Sequence, residues 1–69
     1  MRKNALQDLM KLKDVTLKNI RKKSNICSER LNFIMLNDNV VLESQEIYSL
    51  QKIFNLDHDE TLFYFFGLV

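Results

Sequence analysis

The first 66 residues of the chain contain neither proline nor glycine, because the sequence has no proline and its one glycine is Gly67. Tight β-hairpins depend on glycine in their turns, so a sheet of short strands is nearly excluded and helices are favoured. A length of 69 residues allows one domain with one small core, and a hydrophobic content of 46% is ordinary for a globular chain. We therefore predict a single all-α domain over residues 1–69.

Residues 15–36 have the pattern of two short helices joined by a tight turn. Thr16 is placed to cap the first helix, which residues 17–23 continue, and Asn25 is expected to adopt the left-handed conformation that breaks it. A second helix is predicted from about Cys27-Ser28 to about residue 36. The apolar residues spaced for one shared inner side are Ile20, Ile26, Leu31 and Ile34.

Three more helices complete the predicted domain. Helix 1 is expected over residues 2–12. Helix 4 is expected to begin after Ser44 as its N-cap and to end at Asn55, and Asp57 is placed to cap helix 5. Between helices 3 and 4, residues 40–42 are predicted to form an extended loop that tucks inward. The alternative is a short strand that pairs with another chain.

The helix–turn–helix segment resembles the Cro/C1-type (Xre) family of phage repressors and bacterial transcriptional regulators. Residues 15–27 read VTLKNIRKKSNIC, where the usual run of the family is apolar-Thr-Gln-x-x-Leu-Ala-x-x-x-Gly-Ile/Val-Ser. The apolar anchors and Thr16 match. The resemblance covers roughly residues 6–66 and implies a lambda-repressor-like fold of five helices, with the helix–turn–helix unit at about residues 16–36.

The chain departs from the family pattern at several positions. Leu17 stands where relatives have a Gln that touches the DNA backbone, Arg21 replaces a small Ala, and Asn25 replaces the turn Gly. Several phage repressors also carry a buried Arg–Glu pair at the positions of Met10 and Met35. Both charges are absent together, as expected for an ion pair, because one buried partner left alone costs several kcal/mol.

The resemblance implies a sequence-specific DNA-binding transcriptional regulator, a repressor or Cro-like switch of a phage or mobile element. In the family, the second helix of the unit meets base edges. Arg30 suits guanine, Asn32 suits adenine, Glu29 suits the amino group of cytosine, and Phe33 suits a thymine methyl group. The expected DNA-binding residues are Thr16, Lys18, Lys22, Lys23, Ser28, Glu29, Arg30, Asn32 and Phe33.

The charges of the chain are divided between its halves. Residues 1–33 contain nine basic and three acidic side chains, a net charge of +6, whereas residues 34–69 contain one basic and six acidic side chains, a net charge of −5. A basic half that coincides with a helix–turn–helix favours double-stranded DNA as the partner. The alternative is a pair of solvated faces that bind nothing.

Residues 62–69 are apolar all round. A helix packed on one side cannot bury every face, so part of this segment is expected to be exposed and to mark a contact surface. We predict a homodimer, or a partner interface, built on helix 5. The alternative is that the small core uses most of these aromatic side chains. The expected interface residues are Phe63, Tyr64, Phe65, Phe66 and Leu68.

A second functional interpretation stays open at this point. Glu29 places a negative charge near the expected phosphates, and Phe33 with Leu36 makes an apolar spot on a face that is usually polar in a DNA reader. A small adaptor that binds a protein partner through helix 3 or helix 5 has these features.

No catalytic, cofactor or metal site is expected. His58 is the only histidine, it lies in an acidic helix start, and no nucleophile is placed near it. Cys27 is the only cysteine, so an internal disulfide is excluded, and we interpret it as a small half-buried, packed residue. The alternative is a reactive thiol at a helix N-terminus. The chain has neither a run of 18 apolar residues nor a signal-peptide pattern, so we expect a cytoplasmic protein outside the membrane.

Overall fold

The computed structural model describes residues 1–2, 4–37 and 40–67. Within these ranges the chain forms five α-helices and no strand, which confirms the predicted all-α, five-helix fold. No helix of the described residues is long and apolar enough to cross a lipid bilayer. The helices are α1 (Ala5–Lys13), α2 (Leu17–Lys23), α3 (Ser28–Leu36), α4 (Ser44–Phe54) and α5 (His58–Phe65).

One hydrophobic core is shared by all five helices, and burial of this apolar surface is the main favourable contribution to folding. The four residues predicted to form the inner side of the helix–turn–helix all belong to it, so that prediction is confirmed. Met10 and Met35 lie partly buried against the core. The core residues are Leu6, Leu9, Ile20, Ile26, Leu31, Ile34, Val40, Leu50, Phe54, Leu56 and Phe65.

Side-chain caps start two of the helices where the sequence predicts them. At α2, the Thr16 hydroxyl accepts a hydrogen bond from the backbone N–H of Asn19 at 3.2 Å. At α5, the Asp57 carboxylate accepts one from the backbone N–H of Glu60 at 2.8 Å. At the end of α4, Asn55 adopts a left-handed conformation with φ of 54°. These local signals therefore set the helix boundaries, as expected from capping chemistry.

Two helix starts differ from the prediction. Helix α1 begins at Ala5 rather than at residue 2, because Asn4 has φ of 61° and so interrupts the helix there. Helix α4 includes Ser44, and its N-cap is Glu43. The backbone N–H of Glu43 donates to the Glu46 carboxylate at 2.8 Å. A side chain from the first turn therefore satisfies the exposed end of α4.

The prediction that Asn25 adopts the left-handed conformation is wrong. Ser24 leaves α2 in extended backbone, with φ of −120° and ψ of 165°. Its hydroxyl donates to the carbonyl of Ile20 at 2.7 Å and accepts from the N–H of Ile26 at 3.3 Å. The Ser24 side chain therefore closes the turn, and the residue that replaces the family's glycine does not need a positive φ.

The loop between α3 and α4 tucks inward only in part. Val40 is buried in the core, whereas Val41 is among the most exposed apolar residues of the domain. The N-terminal ammonium of Met1 donates to the carbonyl of Val40 at 3.3 Å. The start of the chain thus contacts this loop and helps to fix the segment that follows α3.

Candidate nucleic-acid interface

A turn over residues 24–27 joins α2 to α3, and both helices bury their inner faces in one core. Ile20 of α2 is fully buried, as are Leu31 and Ile34 of α3, and Ile26 fills the turn between them. Because the apolar faces point inward, the outer faces of both helices are left to solvent. This is the arrangement that a helix–turn–helix needs in order to present α3.

Three cations lie on the outer side of α2. Lys18, Arg21 and Lys22 are exposed, and their spacing of three and four residues places them on one helix face. We call these three residues the α2 basic face. Helix α2 carries no acidic side chain, so the charge of this face is not neutralised within the helix. Lys23 is also exposed, but it lies apart and lines a shallow cavity of about 340 Å³ beside α4.

The N-terminus of α2 differs chemically from its counterpart in the resembled family. Thr16 is exposed and its hydroxyl caps the helix, with Asn19 as its partner. Leu17 packs partly buried against the core. Because Leu17 faces inward, Thr16 is the polar group that lies exposed beside it at this end of α2.

The outer face of α3 combines polar and aromatic side chains. Ser28, Glu29, Asn32 and Phe33 are all exposed, so four of the expected DNA-binding residues share this surface. The guanidinium of Arg21 reaches across from α2, and its Nη1 donates to the Ser28 hydroxyl at 3.0 Å. The outer faces of the two helices are therefore connected by one hydrogen bond.

Arg30 lies apart from the other predicted base-facing residues. Its Nε donates to one carboxylate oxygen of Glu46 at 2.7 Å, and its Nη2 donates to the other at 3.0 Å. The same Nη2 donates to the carbonyl of Val41 at 3.0 Å. The structure thus places the guanidinium between α3 and α4, where it joins two elements of the fold.

This ion pair also changes the proton affinity of both groups. The hydrogen bond from Arg30 holds the pKa of the Glu46 carboxyl below its ordinary value, and the N–H of Glu43 acts in the same direction. The hydrogen bond to Glu46 raises the pKa of Arg30. Both groups therefore stay charged at neutral pH, because each stabilises the ionised form of the other.

An apolar patch lies at the C-terminal part of α3. Phe33 is 50% exposed, Leu36 is 83% exposed and Val41 is 86% exposed. The Arg30 guanidinium lies 5.6 Å from the centre of the Phe33 ring and donates to the backbone carbonyl of Val41, so the loop residue Val41 lies near this part of α3. We call Phe33, Leu36 and Val41 the α3 apolar patch. Exposed apolar groups in such proximity are typical of a contact surface.

Helix α5 buries part of the aromatic surface that the sequence predicts to form an interface. Phe65, predicted at an interface, is only 4% exposed and belongs to the core. Phe63 and Tyr64 are half-buried, with their rings edge to face at 5.0 Å. The guanidinium of Arg2 lies 4.1 Å from the centre of the Phe63 ring, and the N–H of Arg2 donates to the carbonyl of Tyr64. The N-terminal segment therefore covers part of this helix.

Phe66 is the predicted interface residue that the structure leaves most open, at 52% exposed. It follows directly after the last residue of α5. Leu68, the remaining residue of the predicted interface, lies outside the described residues. Among the described residues of this end, the exposed apolar surface is smaller than the sequence suggests, because Phe65 is buried and Phe63 and Tyr64 are half-buried.

Other chemistry-bearing side chains do not converge. His58 is exposed at the start of α5, and Cys27 is exposed at the N-cap of α3 rather than packed as predicted. Cys27 lines an open cavity of about 510 Å³ between the starts of α3 and α4, together with Arg30 and Tyr48. Within residues 1–2, 4–37 and 40–67, no three His, Cys, Asp or Glu side chains come together as metal ligands do.

Two residues of the candidate interface, Glu46 and Val41, were missed from the sequence. Glu46 is the partner of Arg30 across 16 positions, and no local pattern links the two. Val41 was read as part of an inward loop, although its neighbour Val40 alone is buried. For Arg21 the sequence leaves open whether the side chain disturbs the helix pair or extends outward to add a phosphate contact. Arg21 was visible as a departure from the family pattern, and its large side chain at a position that is usually small was the one available signal.

Comparisons of the chain with protein-family models, with curated proteins and with solved structures found no match.

Proposed function

We propose that this protein is a sequence-specific DNA-binding transcriptional regulator that reads a duplex with α3 and holds the sugar–phosphate backbone with α2. The supporting observation is that the outer faces of α2 and α3 are both exposed and adjacent, one basic and the other rich in hydrogen-bonding groups. Cations that neutralise phosphates supply affinity, and side chains at base edges supply specificity. By resemblance, the regulator is a phage or mobile-element repressor or Cro-like switch that acts in the cytoplasm.

Among the base-facing candidates, Asn32 has the chemistry best suited to direct readout. Its side chain is exposed in the middle of α3, and an amide can bond both N6 and N7 of adenine. Phe33, one residue further, suits a thymine methyl group. The α2 basic face then supplies contacts that are independent of sequence, since lysine binds phosphate as a point charge.

The test is selection from a random duplex library with the purified protein at moderate salt. The proposal expects enrichment of a short motif. Asn32→Ala should weaken binding to that motif by about tenfold and relax the preference at one base pair. Lys22→Ala should weaken binding to all duplexes equally, and it should lower the slope of log affinity against log salt concentration by about 0.9. Lys11→Ala, an equal charge change at an exposed position of α1, serves as the matched control.

We also propose that the regulator is a homodimer, which a palindromic motif would match. The exposed Phe66, with the half-buried Phe63 and Tyr64 beside it, provides the apolar surface. Sedimentation should show a dimer for the unchanged chain and a monomer for Phe66→Ser. A monomer at high micromolar concentration in the unchanged chain contradicts dimerisation without affecting the DNA proposal.

The α3 apolar patch favours a second candidate function, an adaptor that docks a protein partner through α3. Leu36 separates the two candidates because it is exposed and is not among the expected DNA-binding residues. Leu36→Ser should leave binding to a selected duplex unchanged if α3 reads DNA. If the library selection enriches no motif, the adaptor becomes the better explanation of this surface.

A further inference from the structure

Two arginines lie at the candidate interface, Arg30 within α3 and Arg21 on α2, and their guanidinium groups are held in different ways. Arg30 directs Nε and Nη2 at the carboxylate of Glu46 and also bonds the Val41 carbonyl. To reach DNA, Arg30 has to break an ion pair whose acceptor is largely buried, with the Glu46 side chain 11% exposed. Leaving such a carboxylate without its partner is costly. Arg30, which the sequence favours for base contact, is therefore held in an ion pair that stabilises the fold.

Arg21 is positioned differently. It is exposed in the last turn of α2, and its Nη1 donates to the Ser28 hydroxyl in the first turn of α3 at 3.0 Å. Within residues 1–2, 4–37 and 40–67, this is the hydrogen bond that its guanidinium makes. A guanidinium has five N–H donors, so a single bond to a neutral hydroxyl orients the group and leaves donors for a ligand.

The location of Arg21 makes an anion the fitting ligand. Lys18 precedes it by three residues and Lys22 follows it, so the guanidinium belongs to the α2 basic face at the point where that face meets α3. Planar guanidinium groups bind phosphate oxygens with two parallel hydrogen bonds, which adds geometric specificity to charge attraction.

We propose that Arg21, oriented by Ser28, binds a backbone phosphate of duplex DNA beside α3, and that Arg30 makes no DNA contact. The proposal rests on the proposed DNA-binding function and adds to it a residue outside the expected set. Ser28 acts here as a positioning residue, because its hydroxyl holds the guanidinium and carries no charge itself.

The experiment measures fluorescence anisotropy with a duplex from the library selection and with a scrambled duplex, between about 50 and 200 mM salt. Arg21→Ala should weaken binding to both duplexes by about tenfold and lower the log–log salt slope by about 0.9. Arg21→Lys should keep the salt slope of the unchanged chain and bind more tightly than Arg21→Ala. Lysine retains the charge but cannot form the two parallel hydrogen bonds of a guanidinium. Ser28→Ala should lower affinity about twofold to threefold with an unchanged slope.

Arg30 is tested in the double variant Arg30→Gln with Glu46→Gln, which removes both charges together and leaves no unpaired ion. Thermal melting checks that each variant is folded at the temperature of the titration. The double variant should keep the log–log salt slope of the unchanged chain on both duplexes, because it removes no phosphate contact. A salt slope that falls in the double variant but not in Arg21→Ala overturns the assignment of the phosphate contact to Arg21.

The outcomes separate this inference from the proposed function. If the unchanged chain binds the selected duplex and Arg21→Ala keeps its affinity and slope, only the inference fails. If Arg21→Ala weakens binding to the selected duplex but not to the scrambled one, Arg21 contacts a base and the phosphate assignment is wrong. If the unchanged chain binds neither duplex, the proposed function fails, and the inference fails with it.

Discussion

Arg30 and Glu46 form a two-pronged ion pair that fastens α3 to α4, with N–O distances of 2.7 and 3.0 Å. The carboxylate also accepts the backbone N–H of Glu43, so one side chain both caps α4 and anchors α3. Because these hydrogen bonds connect α3, α4 and the start of α4, the pair helps to hold the two helices together. The bonds also fix the orientation of the helix whose outer face we propose to read DNA.

Glu46→Gln should lower the free energy of unfolding by about 1–2 kcal/mol, because the amide keeps an acceptor for Glu43 and loses the charge opposite Arg30. Urea denaturation followed by circular dichroism measures the change. Glu29→Gln, at an exposed carboxylate of α3 with an equal loss of charge, is the matched control and should cost no more than about 0.5 kcal/mol. Equal losses in the two variants contradict a structural role of the pair.

The stability that Glu46 contributes should disappear in acid. Its pKa in the folded state lies below the ordinary value of 4.5, so below about pH 4.5 the unfolded chain binds more protons here than the folded chain does. Stability from this group is therefore fully present above that pH and is lost as the pH falls through the folded pKa. The difference in unfolding free energy between the unchanged chain and Glu46→Gln should shrink between about pH 5 and pH 3. A constant difference over that range contradicts the lowered pKa.

Two leucines of α3 provide a matched test of the packing. Leu31 is fully buried in the core, whereas Leu36 is 83% exposed. Leu31→Ala should cost about 2–5 kcal/mol, which in a domain of this size removes much or all of the folded population. Leu36→Ala should change the unfolding free energy by less than about 0.5 kcal/mol. Thermal melts of the two variants give the comparison directly, and similar melting temperatures contradict the described orientation of α3.

Thr16→Ala should destabilise the domain by about 1 kcal/mol, because it removes the acceptor for the N–H of Asn19 at the start of α2. A loss of that size lowers the melting temperature by about 4–8 °C in a domain of this length. Thr16→Ser keeps the hydroxyl and should retain most of the stability. Equal melting temperatures for the alanine and serine variants rule out the capping role.

Features that depend on neighbouring residues were predictable from the sequence. Thr16, Asn55 and Asp57 set helix ends by bonds or backbone conformations that reach only a few positions along the chain. The inner side of the helix–turn–helix followed from helical spacing, because burial of one apolar face is what such spacing specifies. The fold class was therefore predictable from the sequence before any tertiary contact was known.

Features that depend on distant or competing partners were not predictable. An arginine at position 30 can bind either a guanine or a carboxylate. Only the packing of α3 on α4 shows that its partner is Glu46. Asn25 was expected to break α2 with a positive φ, but the turn is closed instead by the Ser24 hydroxyl, which donates to the Ile20 carbonyl. Arg2 covers Phe63 from the opposite end of the sequence, so a pattern read along α5 alone overstates the exposed apolar surface.

The single thiol of the chain allows a spectroscopic probe to be attached at the start of α3. Cys27 is exposed at the N-cap of that helix and is the one cysteine in the sequence, so a maleimide dye or nitroxide attaches at a single known point without further mutagenesis. A reporter there sits one residue from Ser28. It registers the approach of any ligand to the helix, whether nucleic acid or protein, before the identity of that ligand is known.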